Sequence, residues 1–137
     1  MIRILILVFS FLALTSTNIL AQKGDWKNVD GAKFPHVFYD ASSVGTGTVF
    51  QIRVLEEYTT PKAIEGVAAK VKKVETLYLI HAEMNRYSIK SVVYYSASNK
   101  VLNRFDYKEA DAYAKINVYA FPISKGTMME AVKNVRM

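Results

Sequence analysis

The chain has no cysteine at all among its 137 residues, only two histidines, three prolines and six glycines, and a single tryptophan. Without cysteine there is no disulfide, no thiol nucleophile and no thiolate metal ligand. The same absence excludes the cysteine on which a bacterial lipid anchor is built. With two histidines, His36 and His81, a zinc centre of three or four ligands has little to draw on. His81 stands two residues from Glu83 and would share a strand face with it, but no third ligand is in sight. Glu56 and Glu57 are neighbours, so on a strand they point to opposite faces and cannot act on one substrate. Ser42 and Ser43 sit in a turn with no adjacent base to activate a nucleophile. The glycines of Gly45-Thr46-Gly47 are not followed by the Lys-Ser/Thr ending of a phosphate loop. No catalytic, cofactor-binding or metal-ligating set is therefore predicted.

What is present divides into two tracts. Residues 1–21 carry one charge, Arg3, then an apolar run from Ile4 to Leu14 and a small-residue end at Ala21. That is the pattern of a secretory signal peptide with cleavage near Ala21. The apolar run is shorter than the roughly 20 residues a spanning helix needs. The protein is thus expected to be exported, periplasmic or extracellular, with no stable membrane anchor. Residues 22–137 are expected to form one domain. The formal net charge of +6 favours anionic partners, a protein or an acidic glycan; export argues against nucleic acid.

Within that domain the period-two pattern dominates. The folded part starts at Asp25 to Val29, with Trp26 and Val29 as apolar anchors, and Gly31 breaks that segment; a β-prone run follows from His36 to Asp40, with a turn over residues 41–48. From Val49 to Tyr58, Phe50, Ile52, Val54 and Tyr58 alternate with Gln51, Arg53 and Glu57, which places one face in the core and the other in water. That strand should stop before Pro61, which cannot donate to a ladder. Residues 61–73 read as a connection with one short helical turn. From Val74 to Tyr95 lies the longest β-branched and aromatic stretch of the domain, interrupted at residues 83–86 by a polar bend. In its first half Val74, Thr76, Tyr78 and Ile80 share a face and Leu77 and Leu79 occupy the other; in its second, Tyr87, Ile89, Val93 and Tyr95 should share one face. Val101 to Tyr107 returns as a hairpin partner. Residues 108–115 have helix propensity and residues 116–121 read as a short strand.

The end of the chain reads as a helix with Ser124 or Thr127 as N-cap. Thr127 and Glu130 have capping-box spacing, and Met128, Val132, Val135 and Ala131 form an apolar stripe. The fold class is therefore α+β, a single antiparallel β-sheet packed against a C-terminal α-helix.

The order of landmarks is also informative: Trp26, then Phe38-Tyr39-Asp40 and Ser43-Val44, a valine-rich strand ending at Tyr58 and Pro61, Glu83-Met84-Asn85, Tyr94-Tyr95, and Pro122-Ile123-Ser124 before the helix. In this order the chain resembles the surface-adhesin protein E-like domain family over nearly all of residues 22–137. The resemblance implies an antiparallel sheet with a C-terminal helix and adhesion to host macromolecules. Arg86 and Arg136 stand where it implies disulfide cysteines, so both guanidinium groups should reach solvent or the carboxylates of Glu83 and Glu130.

On this reading the chain is a non-enzymatic binding protein with a basic, aromatic surface patch. Arg53, Tyr94 and Tyr107 are its candidate ligand-binding residues, since Tyr and Arg are favoured interface anchors. Tyr113 and Tyr119 are equally undetermined, whereas Tyr58, Tyr78, Tyr87 and Tyr95 are assigned to the core. The alternative is a periplasmic small-ligand carrier with an apolar pocket between sheet and helix, lined by Met128 and Val132.

Overall fold

The computed structural model describes residues 23–107 and 121–136. The expected signal peptide and cleavage site, the helix propensity at residues 108–115, Tyr113, Tyr119 and all but the last residue of the expected strand at 116–121 lie outside the described residues. The rest is mostly antiparallel β-sheet with one C-terminal helix. In chain order the strands are β1 (Trp26–Asp30), β2 (Phe34–Asp40), β3 (Val49–Lys62), β4 (Val71–His81), β5 (Arg86–Tyr95), β6 (Val101–Asp106) and β7 (Phe121–Pro122), followed by helix α1 (Met128–Asn134). The first six pair in sequence order as a meander, and β7 adds to β5. Every pairing is antiparallel.

The alternating residues of β3 set the two faces as expected. Phe50, Ile52 and Val54 are buried, and they join Val37, Tyr78, Ile80, Ile123, Met129 and Val132 in the main core. Helix α1 is held onto this cluster by Met129 and Val132, the latter fully buried. Met128 and Val135 pack only at its margin. The expected stripe is thus rotated towards Met129, because positions three apart, here 129 and 132, lie as close on a helix as positions four apart. Thr127 is the N-cap, its Oγ1 accepting the Glu130 amide at 3.4 Å, while Glu130 Oε2 accepts the Gly126 amide at 2.6 Å.

A second cluster, Val71, Val74 and Val92, lies further along the sheet and is covered by Tyr58, Ile64 and Val67. Ile64 and Val67 come from the connection at residues 63–70, where a turn closes with the Val67 amide on the Ile64 carbonyl at 3.1 Å. No helical turn forms there, which corrects the expectation. Its apolar residues are needed to cover the sheet, and Gly66 at φ +80° bends the chain to deliver them. β3 also runs through Pro61 to Lys62. The ladder to β4 is irregular between Glu57 and Lys62, and β2 pairs with β3 only as far as Glu56, so the missing amide breaks no regular bond.

The other correction is in β5. Tyr78 pairs with Ile89 but Leu77 with Ser91, leaving Lys90 as the extra residue of a β-bulge. Beyond it the faces exchange: Val92 and Tyr94 join Tyr87 and Ile89 on the core side, and Val93 and Tyr95 turn to the opposite side with Glu75. Strict alternation cannot register an inserted residue.

Candidate functional site

The three candidate residues fall on two sides of the sheet. Arg53 lies opposite Leu77, on the face away from α1, and is occupied there. Its guanidinium pairs with Asp40, reaches Glu75 Oε1 at 3.4 Å, donates to the Lys23 carbonyl at 2.9 Å, and lies over the Trp26 ring at 5.2 Å from the centroid. Asp40 is buried, accepting in addition the Asp25 amide at 2.9 Å, the Ser42 amide at 3.0 Å and the Ser42 hydroxyl at 2.6 Å. Burial alone would raise its carboxyl, but the hydrogen bonds from Ser42, Arg53 and Asp25 outweigh this and hold it below its ordinary range. Glu75 differs. Burial dominates and raises its carboxyl despite Arg53 and the Tyr95 hydroxyl at 3.3 Å. Burial and the Glu75 charge in turn push the Tyr95 hydroxyl up to about 12. This network fastens β1, β2, β3 and β4 together, and it uses Arg53 as a strut instead of offering it to a ligand.

Tyr94 and Tyr107, by contrast, both lie at the margin formed by β6 and β7 along β5, Tyr94 within β5 and Tyr107 just past the end of β6. Phe105 pairs with Val92 and meets Tyr94 edge-on at 6.1 Å. The Tyr107 amide donates to the Lys90 carbonyl at 2.8 Å, which continues the pairing past Asp106. Phe121 pairs with Tyr87 and stacks on it at 5.3 Å, and Tyr87 meets Tyr78 edge-on at 5.6 Å. The outward rings are well exposed, Phe105 at 43%, Tyr107 at 51% and Phe121 at 45%. Sequence reasoning missed Phe105 and Phe121. Their signal was a place on the last strands to join the sheet, which no local pattern reveals. Among the described residues no basic-aromatic patch joins Arg53 to Tyr94, since Arg53 stands on the other face and is already paired.

The histidine and carboxylate motifs take up structural positions. His81 ends β4 and its Nδ1 accepts the Met84 amide at 3.3 Å, while Glu83 is exposed in the turn that follows. Asn85 in that turn adopts φ +50° and locks three elements: its carbonyl accepts the Ile123 amide at 2.7 Å and its Oδ1 accepts Lys133 Nζ at 2.6 Å. Arg136 is exposed as expected, but it engages the Gly47 carbonyl at 2.6 Å and the Phe50 ring at 4.2 Å, with no carboxylate. Glu56 and Glu57 do point apart. Burial raises Glu56 on the core side, and Glu57 faces Lys72 at 4.0 Å. Between sheet and helix, Val132 and Met129 fill the interior. Space opens at the rim instead, in a cleft of about 540 Å³ beside the C-terminal end of α1 and one of about 260 Å³ against the β1–β2 turn.

No protein-family model matches the chain, and no curated protein or solved structure matches it.

Proposed function

We propose that the chain is an exported bacterial binding protein that engages a host or extracellular macromolecule without catalysis, as an α+β domain of the surface-adhesin protein E-like kind. The observation that carries this reading is the aromatic margin of Phe105, Tyr107 and Phe121, backed by Tyr87 and Tyr94. Exposed aromatic rings that are themselves braced by other rings offer large contact area at little entropic cost, which suits interface anchors. Phe105 and Phe121 are braced in this way, by Tyr94 and Tyr87, and Tyr107 adds a third exposed ring at the same sheet margin. The formal charge of +6 adds long-range attraction for an acidic protein or glycan.

The test is retention of the chain on extracellular-matrix and envelope fractions at low and moderate salt. The wild type should be retained, and Phe105→Ala with Phe121→Ala should weaken retention at least about tenfold, on the order of one interface anchor lost. Absence of retention in every fraction, or equal retention of the double variant, overturns the reading. The small-ligand alternative finds no opening at Val132 and moves to the rim cleft beside the end of α1.

A further inference from the structure

The larger cleft is built from three separated pieces of chain: the loop at residues 47–48 with Phe50, the β4–β5 turn, and the last turn of α1. Its charged groups are two cations and one carboxylate, Lys133 and Arg136 against Glu83. Lys133 and Arg136 line it, and both are bonded to neutral acceptors, Asn85 Oδ1 and the Gly47 carbonyl. Among the described residues neither has a carboxylate within salt-bridge distance. Arg136 is doubly fixed, by that carbonyl at 2.6 Å and by stacking on Phe50 at 4.2 Å. A guanidinium held in this way keeps several N–H groups in set directions, so little freedom is lost when an anion arrives. Ala82 and the methylene stems of Lys133 and Arg136 supply apolar wall, with Phe50 buried beneath the guanidinium, and Thr48 also lines the cleft.

We infer that this cleft binds a small organic monoanion, a carboxylate with a short apolar body, its charge on Arg136 and Lys133 and its body against Ala82 and the methylene stems of those two side chains. Two features set the class. The cleft of about 540 Å³ is in the range of small-molecule sites. Glu83 also lines it, and a second negative charge on the ligand would meet that carboxylate, so a monoanion is favoured over phosphate. The carbonyls at the end of α1 carry roughly half a negative charge, which the two cations more than offset. The cleft shares no lining residue with the aromatic margin, and the inference does not rest on the macromolecular reading.

The experiment is titration of the nitrogen-15-labelled full chain with hexanoate, with hexanamide as neutral isostere and inorganic phosphate as bare anion, following the amides of Gly47, Thr48 and Asn134. Hexanoate should saturate with a Kd in the millimolar range expected of a ligand this small. Hexanamide and phosphate should each bind at least about tenfold more weakly, the loss of one charged hydrogen-bonding partner or of the apolar body. Lys133→Gln should weaken hexanoate by about tenfold. Arg136→Gln should do the same, but it also removes a tie to the loop, so Glu83→Gln is the deciding variant. Glu83 is exposed in its turn, and its neutralisation should tighten hexanoate and relax the discrimination against phosphate. Equal binding of hexanoate and hexanamide overturns the inference, as do equal binding of phosphate, no binding, or indifference to Glu83→Gln.

Discussion

Asp40 shows how much of this fold rests on single side chains. Its carboxylate accepts from Asp25, Ser42 and Arg53 while buried, so its removal leaves the Arg53 guanidinium with Glu75 as its one carboxylate among the described residues, at the longer distance of 3.4 Å. Asp40→Ala should therefore destabilise the protein by about 3–5 kcal/mol, the cost of breaking a buried pair from one side, read by urea unfolding. The pH dependence follows from two opposite shifts. Asp40 is lowered from 3.8, so its contribution is present above that pH and is lost as pH falls through the lower folded value. Glu75 is raised from 4.5, so its contribution is complete below that pH and is lost as pH rises through the higher folded value. Glu75→Gln should flatten the stability profile above pH 4.5 while leaving the acid limb in place. A Glu75→Gln profile that still falls above pH 4.5 as the wild type does would remove Glu75 from the account. The Arg53 alternation was readable in the sequence. Its engagement was not, because Asp40 and Glu75 lie 13 and 22 residues away and meet it only through pairing across three strands.

At the scale of elements, strand identity was legible wherever apolar alternation was unbroken. β3 and β4 are the clear cases, and the bend at residues 82–85 falls where the polar interruption placed it. Elements governed by pairing were not legible. The bulge at Lys90 reverses half of β5, and Pro61 is tolerated because its neighbours on both sides have left the regular ladder. Helix α1 combines both cases: its cap and capping-box partner were readable, its rotation was not. Seven residues cannot hold a helix by propensity, so α1 depends on its cap and on burial. Thr127→Ala should cost about 1 kcal/mol. Met129→Ala should cost about 2–5 kcal/mol, as a core truncation does, and Met128→Ala clearly less. Thermal unfolding of the three variants ranks them, and a larger loss at Met128 than at Met129 would contradict the packing described here.

For the molecule as a whole, the meander places its outermost hairpin, β1–β2, at one end of the sheet, and the aromatic margin at the other. The sequence could show neither end, since which strand is outermost depends on the whole pairing order. The β1–β2 end is tied in twice. Val37 enters the main core, and the Asp40–Arg53 pair crosses to β3 on the opposite face. A hairpin anchored on both faces should not open before the rest, in contrast to a terminal element that frays at low free energy. Trp26, the single tryptophan, sits in β1 against the Arg53 guanidinium and reports on that end alone. In urea, the Trp26 fluorescence transition should coincide with the loss of far-ultraviolet circular dichroism, the mark of one cooperative unit. In Asp40→Ala the two should separate, with Trp26 released first, because the face that carries Trp26 then loses its tie to β3 and the hairpin is held by the β2–β3 pairing and the apolar packing of the other face. Separate transitions in the wild type would show that the buried pair does not join the end of the sheet to its centre.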